Sequence, residues 1–229
     1  MSEANTTLHS TPLKILVVGA NGATGRLVTA ELAARGHAIT AFVRRADAMG
    51  DDLPEGVDVV VGDALEPTTV EHAVAGKDAV VVILGIRENP LLVRLRGSAA
   101  TSMRVRSEGT RNVIEAMKRQ GVRRLVVQTT YGVAETRAGL SVGWRLMFDL
   151  LLKPQILDTE RQERLVAASD LEWVMVRPVS LGDGPTRPVL VSADGETRSM
   201  DVPRAAVAEV LADAAVRSDY VGRRLAVSA

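Results

Sequence analysis

The stretch Lys14–Gly25, KILVVGANGATG, decides the architecture. Its first part, Lys14–Gly19, consists of β-branched residues and leucine ending on glycine, the composition of a strand covered on both faces. From Gly25 to Arg35 the residues favour a helix, which Gly36 stops. Between the two the glycines fall as G-x-x-G-x-x-G. Gly19 permits a tight exit from the strand, Gly22 lets the backbone come close to an anion, and Gly25 lets the helix pack near the sheet. The N–H groups and dipole at such a helix start favour a diphosphate. Gly19, Ala20, Asn21, Gly22, Ala23, Thr24 and Gly25 therefore form the candidate cradle, with Arg26 beside it. A strand before and a helix after separate this motif from an ordinary glycine-rich turn.

Outward from this turn, short apolar runs alternate with helical segments. Strands are expected at Ala38–Arg44, Val57–Gly62, Ala79–Gly85, Arg124–Thr129, Glu172–Arg177 and Arg224–Val227. Helices are expected at Pro67–Ala75, Ser102–Gln120, Ile156–Ala168 and Pro203–Val216, and a hairpin about Asp194-Gly195 within Val189–Thr197. The alternation implies an α/β fold: a doubly wound parallel sheet of the Rossmann type, with helices on both faces. Ligands of such sheets bind beyond the carboxyl ends of the strands, at the switch point. Met1–Pro12 is polar and reads as a disordered tail, leaving 13–229 as one nucleotide-binding domain with small C-terminal elements beside the substrate cleft.

Composition narrows the function. Twenty-eight basic residues balance 28 acidic ones, which gives no basic surface for nucleic acid. The chain has no cysteine, and its three histidines, His9, His37 and His72, are not spaced as metal ligands. There is no signal-peptide pattern and no apolar run of the roughly 18 residues a membrane span needs. The expectation is a cytoplasmic protein without a membrane or nucleic-acid partner, a monomer or weak homodimer acting on a small planar molecule.

The end of the second strand selects the nucleotide. An acid there holds the ribose hydroxyls of NAD. This chain has Arg44-Arg45 instead, and a guanidinium fork matches the 2′-phosphate of NADP. Asp63, ending the third strand in Gly62-Asp63-Ala64-Leu65, has a carboxylate able to accept from the adenine amino group. Small Gly85 after Leu84 lets the cofactor lie close to strand four.

With these motifs the sequence resembles the atypical short-chain dehydrogenase/reductases that consist of one NAD(P)H-binding domain, and within them the NADPH-dependent flavin reductase (biliverdin-IXβ reductase) type. The carrying segments are GANGATG, AFVRR, VVVGDALEP, VAGKDAVVVILG, SEGTRNVIEAMKRQGV, LVVQTT and LDTERQERLVAASDLEWVMVRPVSLGDGP. The resemblance runs from about Leu13 to the C-terminus. It implies that the glycine turn lines the pyrophosphate, Arg44 and Arg45 the 2′-phosphate, and Asp63 and Ala64 the adenine. It further implies that Leu84, Gly85 and Ile86 line the path to the nicotinamide, that Thr129 and Thr130 lie beside that ring, and that Arg177, Pro178 and Val179 flank its amide. Two segments, 87–101 and 131–157, are longer than their counterparts, and Glu163 stands where the flavin reductase has a histidine. Both segments border the substrate cleft in this fold, so the acceptor is left open.

The Tyr-x-x-x-Lys pair of the typical short-chain enzymes is absent: Tyr131 is followed four residues on by Glu135, and Tyr220 by Arg224. Either positioning and a solvent proton suffice, as for flavins and quinones, or another residue donates. Thr130 and Tyr131 are the candidates at the end of strand five, with Lys153 assisting. Asp158 and Glu163 are five apart on one helix and do not stack as an acid–base pair. Trp144, Met147 and Phe148 are spaced to form either a wall for a planar ring or ordinary core. An NADPH-dependent reductase of a flavin, quinone, tetrapyrrole or enone fits this pattern. A non-catalytic NADP-binding redox sensor is the alternative, and an isomerase or epimerase on the same fold is disfavoured because the usual extra C-terminal substrate domain is missing.

Overall fold

The computed structural model describes residues 11–45, 47, 49, 53–86, 102–147, 150 and 153–229, with the side chain of Arg145 excepted. Segment 87–101, Phe148 and residues 1–10 of the expected tail lie outside the described residues.

Strands β1 (Lys14–Val18), β2 (Ala38–Val43), β3 (Val57–Val61), β4 (Ala79–Val82), β5 (Arg124–Gln128), β6 (Glu172–Pro178), β8 (Leu190–Ser192) and β10 (Arg224–Ser228) form one sheet in the order β3-β2-β1-β4-β5-β6-β10-β8. All neighbours are parallel except β10 and β8. Strands β7 (Ser180–Gly182) and β9 (Asp201–Pro203) pair separately. The chain leaves β1 toward β2 and β3, then returns to place β4 on the other side of β1. That reversal opens a crevice at the carboxyl ends of β1 and β4.

Alternate residues of each strand feed two cores. Ile15, Val17, Val81, Val126, Val174 and Val176 pack with Val28 and Leu32 of α1 (Ala23–Ala34) and with Val207 and Leu211 of α6 (Arg204–Val216). Leu16, Val18, Val80, Val82, Leu125 and Val127 pack with Val70 of α2 (Pro67–Val74), Val113 and Met117 of α3 (Val105–Gln120) and Val166 of α5 (Lys153–Ala167). The near-continuous valine runs are thus explained by helices on both faces. A short helix, α4 (Val142–Met147), precedes α5.

Several boundaries differ from the sequence expectation for identifiable reasons. Helix α1 begins at Ala23, two residues early, because Gly22 takes an extended N-cap conformation. Strand β4 stops at Val82, where its partner β1 ends at Val18, leaving Ile83–Ile86 as an irregular segment over the crevice. Helix α5 starts at Lys153, with Pro154 in its first turn, where a missing N–H costs nothing. Helix α3 starts at Val105 rather than Ser102, and Pro203 caps α6 rather than opening it. The hairpin does not form: Asp194-Gly195 turns, but Leu190–Ser192 pairs with the distant β10. Sheet closure against a remote strand outweighs the local turn signal.

His37 ties the β1 entrance to the loop before β2. The Leu13 N–H donates to its Nδ1 at 3.2 Å, and burial, together with Arg35 nearby, holds the imidazole below its ordinary pKa. The folded chain therefore binds fewer protons there than the unfolded one. The stabilisation is full above the unfolded value of about 6.5 and is lost as pH falls toward the lower folded value. Thermal unfolding followed between about pH 7.5 and about pH 5 should show the melting temperature falling on acidification, with a shallower fall in His37→Gln.

Candidate functional site: a cleft at the switch point

The crevice is a cleft of about 730 Å³. Its floor is the glycine turn. Gly19 has φ +88°, and a Cβ on it would lie 2.4 Å from the Ile83 carbonyl oxygen; a Cβ on Gly25 would lie 2.3 Å from the Gly19 carbonyl oxygen. No other residue fits either place. The contacts hold the start of α1 directly beyond β1. Gly22 caps α1 without a side-chain hydrogen bond, and the first turn carries no acid. The N-terminal N–H groups are thus offered to an external anion.

Gly19, Asn21, Gly22, Ala23, Thr24, Arg44, Asp63, Ala64, Leu84, Gly85 and Ile86 all line this cleft. Ala20 and Gly25 lie under the turn, where they pack it. Arg45 points elsewhere and forms an exposed pair with Asp47 at 2.6 Å. Asp63 Oδ1 accepts from the Leu65 N–H at 2.9 Å, which fixes the bend after β3.

The SEGTRN segment, residues 107–112, builds the opposite wall. A Cβ on Gly109 would come within 2.6 Å of Leu84 Cδ1, so glycine lets α3 press on the segment after β4. Asn112 Nδ2 donates to the Ala64 carbonyl at 2.9 Å, tying α3 to the end of β3. Thr110 Oγ1 accepts from Gln162 Nε2 at 2.9 Å, linking α3 to α5. Asp158, 1% exposed, caps α3 from α5, accepting from the N–H groups of Arg106 and Ser107 and from Ser107 Oγ. Asp158 and Glu163 are separate buried supports, not an acid–base pair.

Glu163 holds a buried ionic network. It accepts from Thr129 Oγ1 at 2.8 Å and from Arg177 Nε and Nη2 at 2.9 and 2.6 Å, and Arg177 Nη1 reaches Glu135 at 2.5 Å. Arg177 holds the Glu135 carboxyl below the usual carboxylate range. Tyr131 and Arg177 line a second cavity of about 200 Å³ with Glu135, Asp194 and Arg224. Thr129, Thr130, Pro178 and Val179 stand near the carboxyl ends of β5 and β6 but do not line the cleft, and exposed Lys153 lines neither cavity. Trp144 packs against the core; Met147 is half-buried.

The cleft also contains residues the sequence reading passed over. Gln128 ends β5, and its buried Oε1 has no hydrogen-bond partner among the described residues. Arg204, at the start of α6, donates to Asp183 at 2.8 Å and to Thr24 Oγ1 at 3.4 Å, closing one side of the turn. Arg106 and Leu181 complete the wall. A polar residue ending an apolar strand was the only local signal for Gln128; nothing local marked Arg106 or Arg204. No cluster of metal-ligating side chains occurs among the described residues, and no helix among them is long and apolar enough to cross a membrane.

A parallel sheet with this switch point, glycine turn and uncapped helix start defines a nucleotide-binding protein of the Rossmann type. The chain belongs to the NAD(P)H-binding family, whose sequence model matches residues 19–217. A 3-diazoavenalumate denitrifying reductase from a Streptomyces species is 34% identical over 179 residues, 72% of this chain and 55% of that protein. The chain thus spans little more than half the length of that relative. Among solved structures, a short-chain dehydrogenase/reductase from Veillonella parvula in complex with NADP superposes with a TM-score of 0.74 at 19% identity, over 95% of this chain and 94% of that one. An anaerobillin reductase from Escherichia coli O157:H7 superposes with a TM-score of 0.72 at 20% identity, over 94% and 96% of the two chains. At these identities the likeness to both is one of fold.

The Glu163–Arg177 pair is 5% and 2% exposed, so removing Glu163 leaves the buried guanidinium only exposed Glu135 and leaves Thr129 Oγ1 without its acceptor. Glu163→Ala should lower the unfolding free energy by about 3 kcal/mol, read from urea denaturation.

Proposed function

We propose that the protein is an NADPH-dependent reductase that passes hydride to a small planar acceptor, a flavin, quinone, tetrapyrrole or enone. The observation that carries this reading is the continuity of the cleft from Arg44 across the uncapped start of α1 to Gln128. Its volume of about 730 Å³ lies within the range of cofactor pockets, and its lining includes the polar, unsatisfied Gln128 side chain. The bound coenzyme supplies a hydride, and the acceptor takes a proton to complete its two-electron reduction.

The chain's own residues bind and orient. The N–H groups at the start of α1 hold the diphosphate, and Arg44 takes the 2′-phosphate. Asp63 meets the adenine. Gln128 Oε1 accepts from the carboxamide, which ends its isolation as a buried polar atom. Among the described residues Thr130, Tyr131 and Lys153 do not line the cleft, and this reading assigns the proton to solvent, with the residues contributing by positioning. The same placement of Tyr131 favours the second reading, an NADP-binding sensor without turnover.

Purified protein should oxidise NADPH with menadione, FMN or riboflavin, followed as loss of reduced-coenzyme absorbance. Tight NADPH binding with no turnover across a broad acceptor panel leaves the sensor. Arg44→Asp should weaken NADPH by about tenfold or more while affecting NADH far less, measured by calorimetry. Equal loss of both coenzymes overturns the 2′-phosphate assignment.

A further inference from the structure

We propose that Arg106 selects the hydride acceptor by binding an oxyanion, a carboxylate or phosphate, carried on that acceptor. The inference rests on the reductase reading and names its substrate class.

Arg106 is the second residue of α3 and lines the cleft half-buried. Its guanidinium donates one hydrogen bond, from Nη1 to the Leu84 carbonyl at 2.8 Å, and meets no carboxylate within ion-pair distance among the described residues. Asp158, which acts on the guanidinium electrostatically without pairing with it, has committed its oxygens to the N–H groups of Arg106 and Ser107 and to Ser107 Oγ. A guanidinium carries five N–H donors, so most of these are unspent. Burial disfavours its charged form, Asp158 offsets this in part without touching the guanidinium, and an anion at the unspent donors would offset the rest. Gly85 leaves room beside it: a Cβ there would lie 3.1 Å from Arg106 Nη2 and crowd the fork. Arg204, by contrast, is already paired with Asp183.

Strand order decides which ligand brings the anion. Arg44 follows β2 and Leu84-Gly85 follows β4, and these strands flank β1 on opposite sides, about 10 Å apart at two strand spacings. The 2′-phosphate is served at Arg44 and the diphosphate at the glycine turn between them. The rest of the coenzyme, a ribose and a reduced nicotinamide, carries no negative charge. An oxyanion at Arg106 therefore belongs to the second ligand. Fixing the anion there orients a planar acceptor by one charged fork and leaves its ring free to lie over the nicotinamide.

The test compares matched acceptors with and without an oxyanion: FMN against riboflavin, and naphthoquinone-2-sulfonate against naphthoquinone. Affinity for the NADP-loaded protein is measured at equilibrium, and kcat/KM with NADPH separately. The wild-type chain should favour at least one charged member by about 10- to 100-fold, the scale of a charge-assisted hydrogen bond. That preference should collapse in Arg106→Leu, return in part in Arg106→Lys, and fade with added salt, while NADPH affinity stays unchanged. No preference in the wild type, or a preference that survives in Arg106→Leu, overturns the proposal. A matching loss of NADPH affinity in Arg106→Leu also overturns it, by giving the residue to the coenzyme. Arg106-dependent binding without turnover keeps the anion site and rejects the reductase, whereas turnover indifferent to charge does the reverse.

Discussion

Two absent side-chain atoms hold the working end of this molecule in shape. Where Gly19 and Gly25 lack a Cβ, the backbone of the same turn and of the segment after β4 fills the space, at 2.4 and 2.3 Å from where those atoms would be. This three-way backbone contact lets α1 start directly over the end of β1. It leaves the helix N-terminus uncapped and brings Ile83–Ile86 down beside it. A larger residue at either place would part β1, β4 and α1, and the cleft would lose its floor.

The charged residues near the cleft divide into supports and contacts. Asp158 and Glu163 reach from α5 in opposite directions, one to cap α3 and the other to hold Thr129 and Arg177. Both are spent on protein groups, and neither lines the cleft. Arginines Arg44, Arg106 and Arg204 line the cleft itself and set its sign. A cleft lined by these donors suits binding and orienting anionic groups more than making or breaking bonds with side chains.

Much of this was legible along the chain. The glycine spacing between a valine-rich strand and a helix, the Arg44 after β2 and the Asp63 after β3 are local patterns, and the structure brings them to one cleft. SEGTRN was legible as a signature but not as a mechanism. Its glycine and asparagine matter because Leu84 and Ala64, far earlier in sequence, lie against them. Tyr131 follows β5 and Arg177 lies near the end of β6, yet both line a separate cavity. Strand position fixes where a backbone ends but not which way the next side chain leaves it.

The amino-acid order by itself determined the alternation of buried strands and helices, the glycine turn and the expected nucleotide, because these depend on periodicity and on residues within a few positions of each other. The tertiary structure alone decided that Leu190–Ser192 joins β10, that Gln128 and Arg106 line one cleft, and that Glu163 pairs with Arg177. Those outcomes depend on which distant segments share one side of the sheet, and burial rewards a pairing only once both partners have been brought out of water.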